Sequence, residues 1–222
     1  MQSNMKKSVW DPSTAYKNPE VAELYDANRF TSITGKLGDR KERRAFSSAL
    51  ACLKGTQTAL DIPCGTGRMT AVLLEAGLQV VGADVSEPMM QQACQKLKGF
   101  GDRVKFTEAN LFQLPFPSES FDIVTCIRLF GHYPFEDRIR MLKELLRVAK
   151  RAVIVQYFYQ TPLTRAKRLI KRRVLHTYEG VVYPVTEAEL RQELTKAGHN
   201  TERRFWARQW YSEEVFILLT KS

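Results

Sequence analysis

The sequence predicts an α/β fold: a doubly wound, mostly parallel sheet of seven strands with one antiparallel strand, preceded by a helical cap. Three observations carry this. From Gln57 onward, short apolar runs alternate with segments of helical period, the pattern of strands covered by helices on both faces of one sheet. The first apolar run ends in a glycine-bearing loop, Pro63-Cys64-Gly65-Thr66-Gly67, that leads straight into a helical segment. The last two apolar runs, near 201–207 and 214–220, follow each other without a helix between them, which makes one strand there antiparallel.

The elements follow in order. Residues 1–17 read as irregular. Helices are expected over 18–30 and 39–54, the second stopped by Gly55. Residues 57–62 form the first strand, 67–75 a helix closed by Ala76-Gly77, and 79–84 the second strand. Ser86 caps a helix with Met89, Met90, Ala93, Cys94 and Leu97 on one face. Strands three and four are expected at 104–107 and 121–127. A helix at 135–150 carries the stripe Phe135, Ile139, Leu142, Leu145, Leu146 and Ala149, and strand five follows at 152–158. Thr186-x-x-Glu189 is a capping box for a helix through Leu190, Leu194 and Ala197, stopped by Gly198.

Composition narrows the class. With 222 residues, 44% hydrophobic and 26% charged, the chain reads as one soluble globular domain. No apolar run approaches the roughly 20 residues that span a bilayer, and the residues before Trp10-Asp11-Pro12 do not read as a secretory signal. Cys52, Cys64, Cys94 and Cys126 are dispersed, which points to reduced thiols in the cytoplasm and away from zinc or a disulfide framework. The net charge of +10 is localised. Residues 1–55 hold ten Lys/Arg against six Asp/Glu, and residues 160–176 hold six (Arg165, Lys167, Arg168, Lys171, Arg172, Arg173) against none. Elsewhere 18 basic groups balance 18 acidic ones.

In such a sheet a ligand sits beyond the carboxyl ends of the strands, at the first strand–turn–helix. Asp61 ends strand one, Gly65 and Gly67 permit a tight turn, and Asp84 ends strand two, where a carboxylate accepts from two ribose hydroxyls. A dinucleotide is the rival, but Gly65-x-Gly67-x-x-Thr70 lacks the third glycine of that fingerprint, and Asp61 would repel a pyrophosphate. A cofactor with a cationic amino group and no phosphate suits Asp61 better.

Four segments in order resemble the class I S-adenosylmethionine-dependent methyltransferases, in their type-11 (UbiE-like) branch, over about Leu60 to Thr220. They are Ala59-Leu60-Asp61-Ile62-Pro63-Cys64-Gly65-Thr66-Gly67, Val80-Val81-Gly82-Ala83-Asp84-Val85-Ser86-Glu87-Pro88-Met89, Leu114-Pro115-Phe116 and Ser120-Phe121-Asp122-Ile123-Val124. The resemblance implies a Rossmann-like domain over 1–222, with a cap (1–55), a cofactor half (57–158), a basic insertion (160–185) and closing elements (186–222). It implies S-adenosylmethionine as cofactor, without metal. Asp61, Pro63, Cys64, Gly65 and Gly67 would line the methionine and ribose portion, and Asp84 would hold the ribose. Val85, Met89, Asn110 and Leu111 would surround the adenine, and Cys126 and Ile127 would flank the methionine end. Three departures stand out: Pro63 in place of a first glycine, Asn110 in place of an aspartate, and no Pro-Gly-Gly turn before strand five.

His132 matches a position that is often histidine in the family, and its pKa range suits a general base; packing under the cap is the other reading. Arg128, Tyr133, Tyr157 and Tyr159 are candidates for the acceptor pocket, while His176 and His199 have no motif around them. The two basic segments would draw in an anionic small molecule, lipid or glycan for O- or N-methylation. The basic amphipathic run 163–175 would also suit contact with the inner face of a membrane. RNA held by its phosphates, a non-catalytic cofactor-binding partner and a simply solvated charged face remain alternatives.

Overall fold

The computed structural model describes residues 18–161, 163–165, 183–200, 202–207 and 213–221. Two helices lead in, α1 (Pro19–Phe30) and α2 (Ile33–Leu50). Then come β1 (Thr58–Asp61), α3 (Arg68–Glu75), β2 (Gln79–Asp84), α4 (Glu87–Leu97), β3 (Val104–Glu108) and β4 (Phe121–Cys126). The chain continues through α5 (Phe135–Val148), β5 (Ala149–Phe158), α6 (Glu187–Lys196), β6 (Arg203–Trp206) and β7 (Glu214–Thr220). Short 3₁₀ turns occupy Lys98–Arg103 and Phe130–His132.

All seven strands join one sheet in the order β3-β2-β1-β4-β5-β7-β6. β1 pairs in parallel with β2 on one side and β4 on the other, so the strand order reverses there and a crevice opens at their carboxyl ends. β7 runs antiparallel to both β5 and β6 and is the one antiparallel strand. Alternation along the strands feeds two cores. Val153 and Val155 pack with Leu142 and Leu145 of α5 and with Leu190 and Leu194 of α6. Ala152 and Ile154 pack on the other face with Phe46 of α2, Leu73 of α3 and Phe216 of β7. Among the described residues no helix is long and apolar enough to cross a membrane.

The boundaries that differ most from expectation are both ends of the second helix, expected over 39–54, and the helix–strand join expected at 150–152. α2 begins at Ile33 rather than 39, because Ser32 caps it by accepting the Gly35 N–H at 3.0 Å, and it ends at Leu50. α5 ends at Val148 and β5 begins at Ala149, so no loop separates them. The missing glycine turn is replaced by tertiary capping: Lys221 Nζ donates to the carbonyls of Ala149 (2.8 Å) and Leu146 (3.5 Å), and the Glu119 N–H donates to that of Arg147 (2.9 Å). Of the expected run 163–175, only 163–165 lies within the described residues; His176 lies outside them.

A buried ion pair fastens α6 to the sheet. Arg138 Nε donates to Glu193 Oε1 at 2.9 Å, and the Tyr157 hydroxyl donates to Glu193 Oε2 at 3.0 Å. The same guanidinium donates to the carbonyls of Tyr133 (2.9 Å) and Tyr183 (3.2 Å), which fixes the chain around residues 131–133.

Candidate active site

A cavity of about 440 Å³ occupies the crevice beyond β1, β2 and β4, within the range of small-molecule sites. Two carboxylates define its floor. Asp61 is buried at the end of β1, where its Oδ1 accepts from the Thr125 hydroxyl at 2.8 Å and its Oδ2 from the Thr70 hydroxyl at 2.6 Å. Burial pushes its carboxyl up to about 6, against the pull of those two hydroxyls and of Arg68. Asp84 ends β2 and accepts the N–H of Gly65 at 2.8 Å and of Ser86 at 3.0 Å. Burial raises its carboxyl too, opposed by those same donors.

The loop between them turns through Gly65 (φ 52°) and Gly67 (φ 80°), after a cis Ile62–Pro63 peptide. Its N–H groups are largely taken. That of Cys64 donates to Ala83 O, that of Gly65 to Asp84, and that of Gly67 to Cys64 O. A pyrophosphate needs those donors free and finds two carboxylates beside it instead. A cofactor with a cationic amino group for Asp61 and ribose hydroxyls for Asp84 fits the residues present.

Known proteins similar to this chain agree with that fit. A profile of the methyltransferase domain matches residues 59–152. A demethylmenaquinone methyltransferase of Lactiplantibacillus plantarum is 30% identical over 181 residues, covering 73% of this chain and 74% of the relative. One of Thermus thermophilus is 41% identical over 132 residues, and the match covers 58% of this chain and only 57% of that relative. The chain belongs to the class I S-adenosylmethionine-dependent methyltransferases, in their UbiE-like branch. The solved magnesium protoporphyrin IX methyltransferase of Synechocystis, with bound S-adenosylmethionine, shares the fold (TM-score 0.69, 22% identity, 97% of this chain and 99% of that one).

In this chain the cavity is lined by Asp61, Pro63, Cys64, Gly65, Asp84, Val85, Met89, Asn110, Leu111 and Ile127 from the expected cofactor set, and by Arg128, His132 and Tyr133. Asn110 Oδ1 already accepts the Phe112 N–H at 3.0 Å and so shapes the loop it sits on. Four expected residues are elsewhere. Gly67 packs the loop on α4: a Cβ there would lie 2.8 Å from Leu97 Cδ1 and 3.0 Å from Ala93 Cβ. Cys126 is wholly buried in the core. Tyr157 faces the α5–α6 side, its hydroxyl on Glu193. Tyr159 donates to Glu187 at 2.6 Å and packs edge-on against Trp206, away from the cavity.

Tyr25 of α1, Arg68, Phe112, Leu129 and Phe158, outside the expected set, also line the cavity. The contacts that position Arg128 lie equally outside the local sequence pattern. This residue has φ 63°, its N–H donates to Gln156 Oε1 at 2.9 Å, and its guanidinium lies 3.4 Å from Glu42 and 3.6 Å from Glu214. Glu42, buried on α2, also pairs with Arg68 at 2.7 Å and accepts from Gln156 Nε2 at 2.7 Å. The cap is thereby bolted to both cavity arginines.

The raised carboxyl of Asp61 predicts a pH dependence. A cationic amino group is best held by the ionised form, so at low pH binding must expel a proton. Affinity for S-adenosylhomocysteine is expected to be flat above pH about 6 and to fall as pH drops below about 6, approaching tenfold per pH unit. Calorimetry in buffers of different ionisation heat should show proton release near pH 6; the Asp61→Asn variant should bind weakly with no such slope.

Proposed function

We propose that this methyltransferase transfers a methyl group from S-adenosylmethionine to a flat, largely apolar ring acceptor that carries an ionisable oxygen or nitrogen and negative charge. One observation carries the reading: Tyr25, Phe112, Leu129, Tyr133 and Phe158 line the same cavity as Arg128 and His132. Phe112 and Tyr133 pack edge to face at 5.4 Å, forming a stiff aromatic wall. Such a wall favours a ring over the glycan that the sequence left open, whose many hydroxyls need polar partners. The relatives named for demethylmenaquinone and for magnesium protoporphyrin take acceptors of that flat kind. Contact of the basic run 163–175 with the inner face of a membrane belongs to the same proposal.

When bound, S-adenosylmethionine supplies a methyl group already activated on a sulfonium, so the protein's share is orientation and exclusion of water. Asp61 would hold the amino group, Asp84 the ribose hydroxyls, and Val85, Met89 and Leu111 the adenine. Arg128, held by Gln156, Glu42 and Glu214, would meet the acceptor's anionic group with the quarter of its side chain that stays exposed. His132 accepts the acceptor's proton as the new bond forms.

Assay of S-adenosylhomocysteine formation with quinol and porphyrin acceptors tests this. The His132→Ala variant is expected to lose about 100-fold or more in turnover with unchanged cofactor affinity. Unchanged turnover would remove the base. Turnover on polar, non-aromatic acceptors alone would overturn the ring reading.

A further inference from the structure

α2 has two unlike faces. The inner one carries Glu42, Ala45, Phe46, Ala49 and Leu50, all buried. The outer one carries Ile33, 80% exposed, and Leu37, 49% exposed, one turn apart. Lys36, Arg40, Lys41 and Arg44 are exposed beside them. At 3.6 residues per turn these six side chains fall within a sector of about 140°. The helix's two acids point elsewhere: Asp39 and Glu42 hold Arg43 and Arg68. Among the described residues, none of the four outer cations makes an ion pair.

An isoleucine and a leucine held in water amid four cations of one sign match a surface that is both anionic and apolar just beneath its charge. That combination describes a phospholipid bilayer. A polyphosphate such as RNA would complement the cations and leave Ile33 and Leu37 without purpose. The position of the helix adds a reason. α2 reaches the cavity arginines through Glu42, and α1, which precedes it, contributes Tyr25 to the cavity lining and a further exposed leucine, Leu24.

We propose that the outer face of α2 docks on an anionic phospholipid surface, with Ile33 and Leu37 entering the headgroup region and Lys36, Arg40, Lys41 and Arg44 meeting lipid phosphates. The inference needs no acceptor, so it stands or falls apart from the assignment of the methylation substrate.

Co-sedimentation of the full chain with phosphatidylcholine vesicles, with and without phosphatidylglycerol, tests it. Binding is expected only with phosphatidylglycerol present and is expected to weaken with salt. Arg40→Glu/Arg44→Glu should lower vesicle partitioning by at least about tenfold, and Ile33→Ser/Leu37→Ser by about tenfold. All four positions face solvent, so both variants should keep the melting temperature and S-adenosylhomocysteine affinity of the unsubstituted chain. Absence of binding by the unsubstituted chain overturns the proposal, as does full binding by either variant. Salt-sensitive binding to single-stranded RNA, lost in the charge variant and kept in the apolar one, without vesicle binding, would assign the face to nucleic acid and overturn it equally.

Discussion

Replacing Asp84 by alanine lowers affinity for S-adenosylmethionine by more than about 100-fold. Two losses combine. The ribose loses a charged acceptor, and hydrogen bonds to charged groups contribute about 1.5–3 kcal/mol each. The loop also loses its anchor, because the same carboxylate accepts the N–H groups of Gly65 and Ser86. Asp84→Asn separates the two losses poorly, since its amide nitrogen would face one of those donors. Asp84→Glu keeps the charge and displaces it, and should fall between. Titration calorimetry with S-adenosylhomocysteine measures the series; an alanine variant that binds normally would take Asp84 out of the site.

The largest expected effect on stability lies in the Arg138–Glu193 pair. Glu193 is 0% and Arg138 3% exposed. In Glu193→Ala the guanidinium stays buried with only carbonyl partners, and the Tyr157 hydroxyl loses its acceptor. Breaking a buried pair from one side costs about 3–5 kcal/mol, whereas replacing both partners by apolar residues costs far less. Urea denaturation should therefore show a severe loss for Glu193→Ala and a substantial recovery in Arg138→Met/Glu193→Met. A loss below about 1 kcal/mol in the single variant would refute this. Arg138 also holds the carbonyl of Tyr133, so the double variant should raise the KM for acceptor while leaving cofactor affinity alone.

How much of this was readable in the sequence depends on distance along the chain. Asp61, Gly65 and Asp84 act within short strand–turn segments, and their spacing reports their geometry. Strand β5 shows the limit. Period-two alternation establishes that residues 157 and 159 share a face, but not which face meets the cavity. The sequence offers Tyr157 and Tyr159 for the pocket; Phe158, on the opposite parity, lines the cavity. Gly131 packs against it so closely that a Cβ would lie 2.1 Å from the ring. The Glu42–Arg68–Arg128–Gln156 cluster joins three elements and the loop after β4, far apart in sequence, and no local pattern marks it. The start of α2 was obscured by Gly35 and Gly38, which weaken the helical signal where Ser32 in fact caps it.

The direct passage from α5 into β5 leaves the chain no slack at Val148–Ala149. Lys221 and Glu119 cover the carbonyls at that join, and β5 is held between β4 and β7. One extra residue there would invert the phase of the strand. Tyr157 would turn from Glu193 toward α2, and Gln156 would swing away from both Glu42 and the Arg128 amide. A single insertion would thus spoil the core and the acceptor wall together, so tolerance of added length at this join should be close to nil.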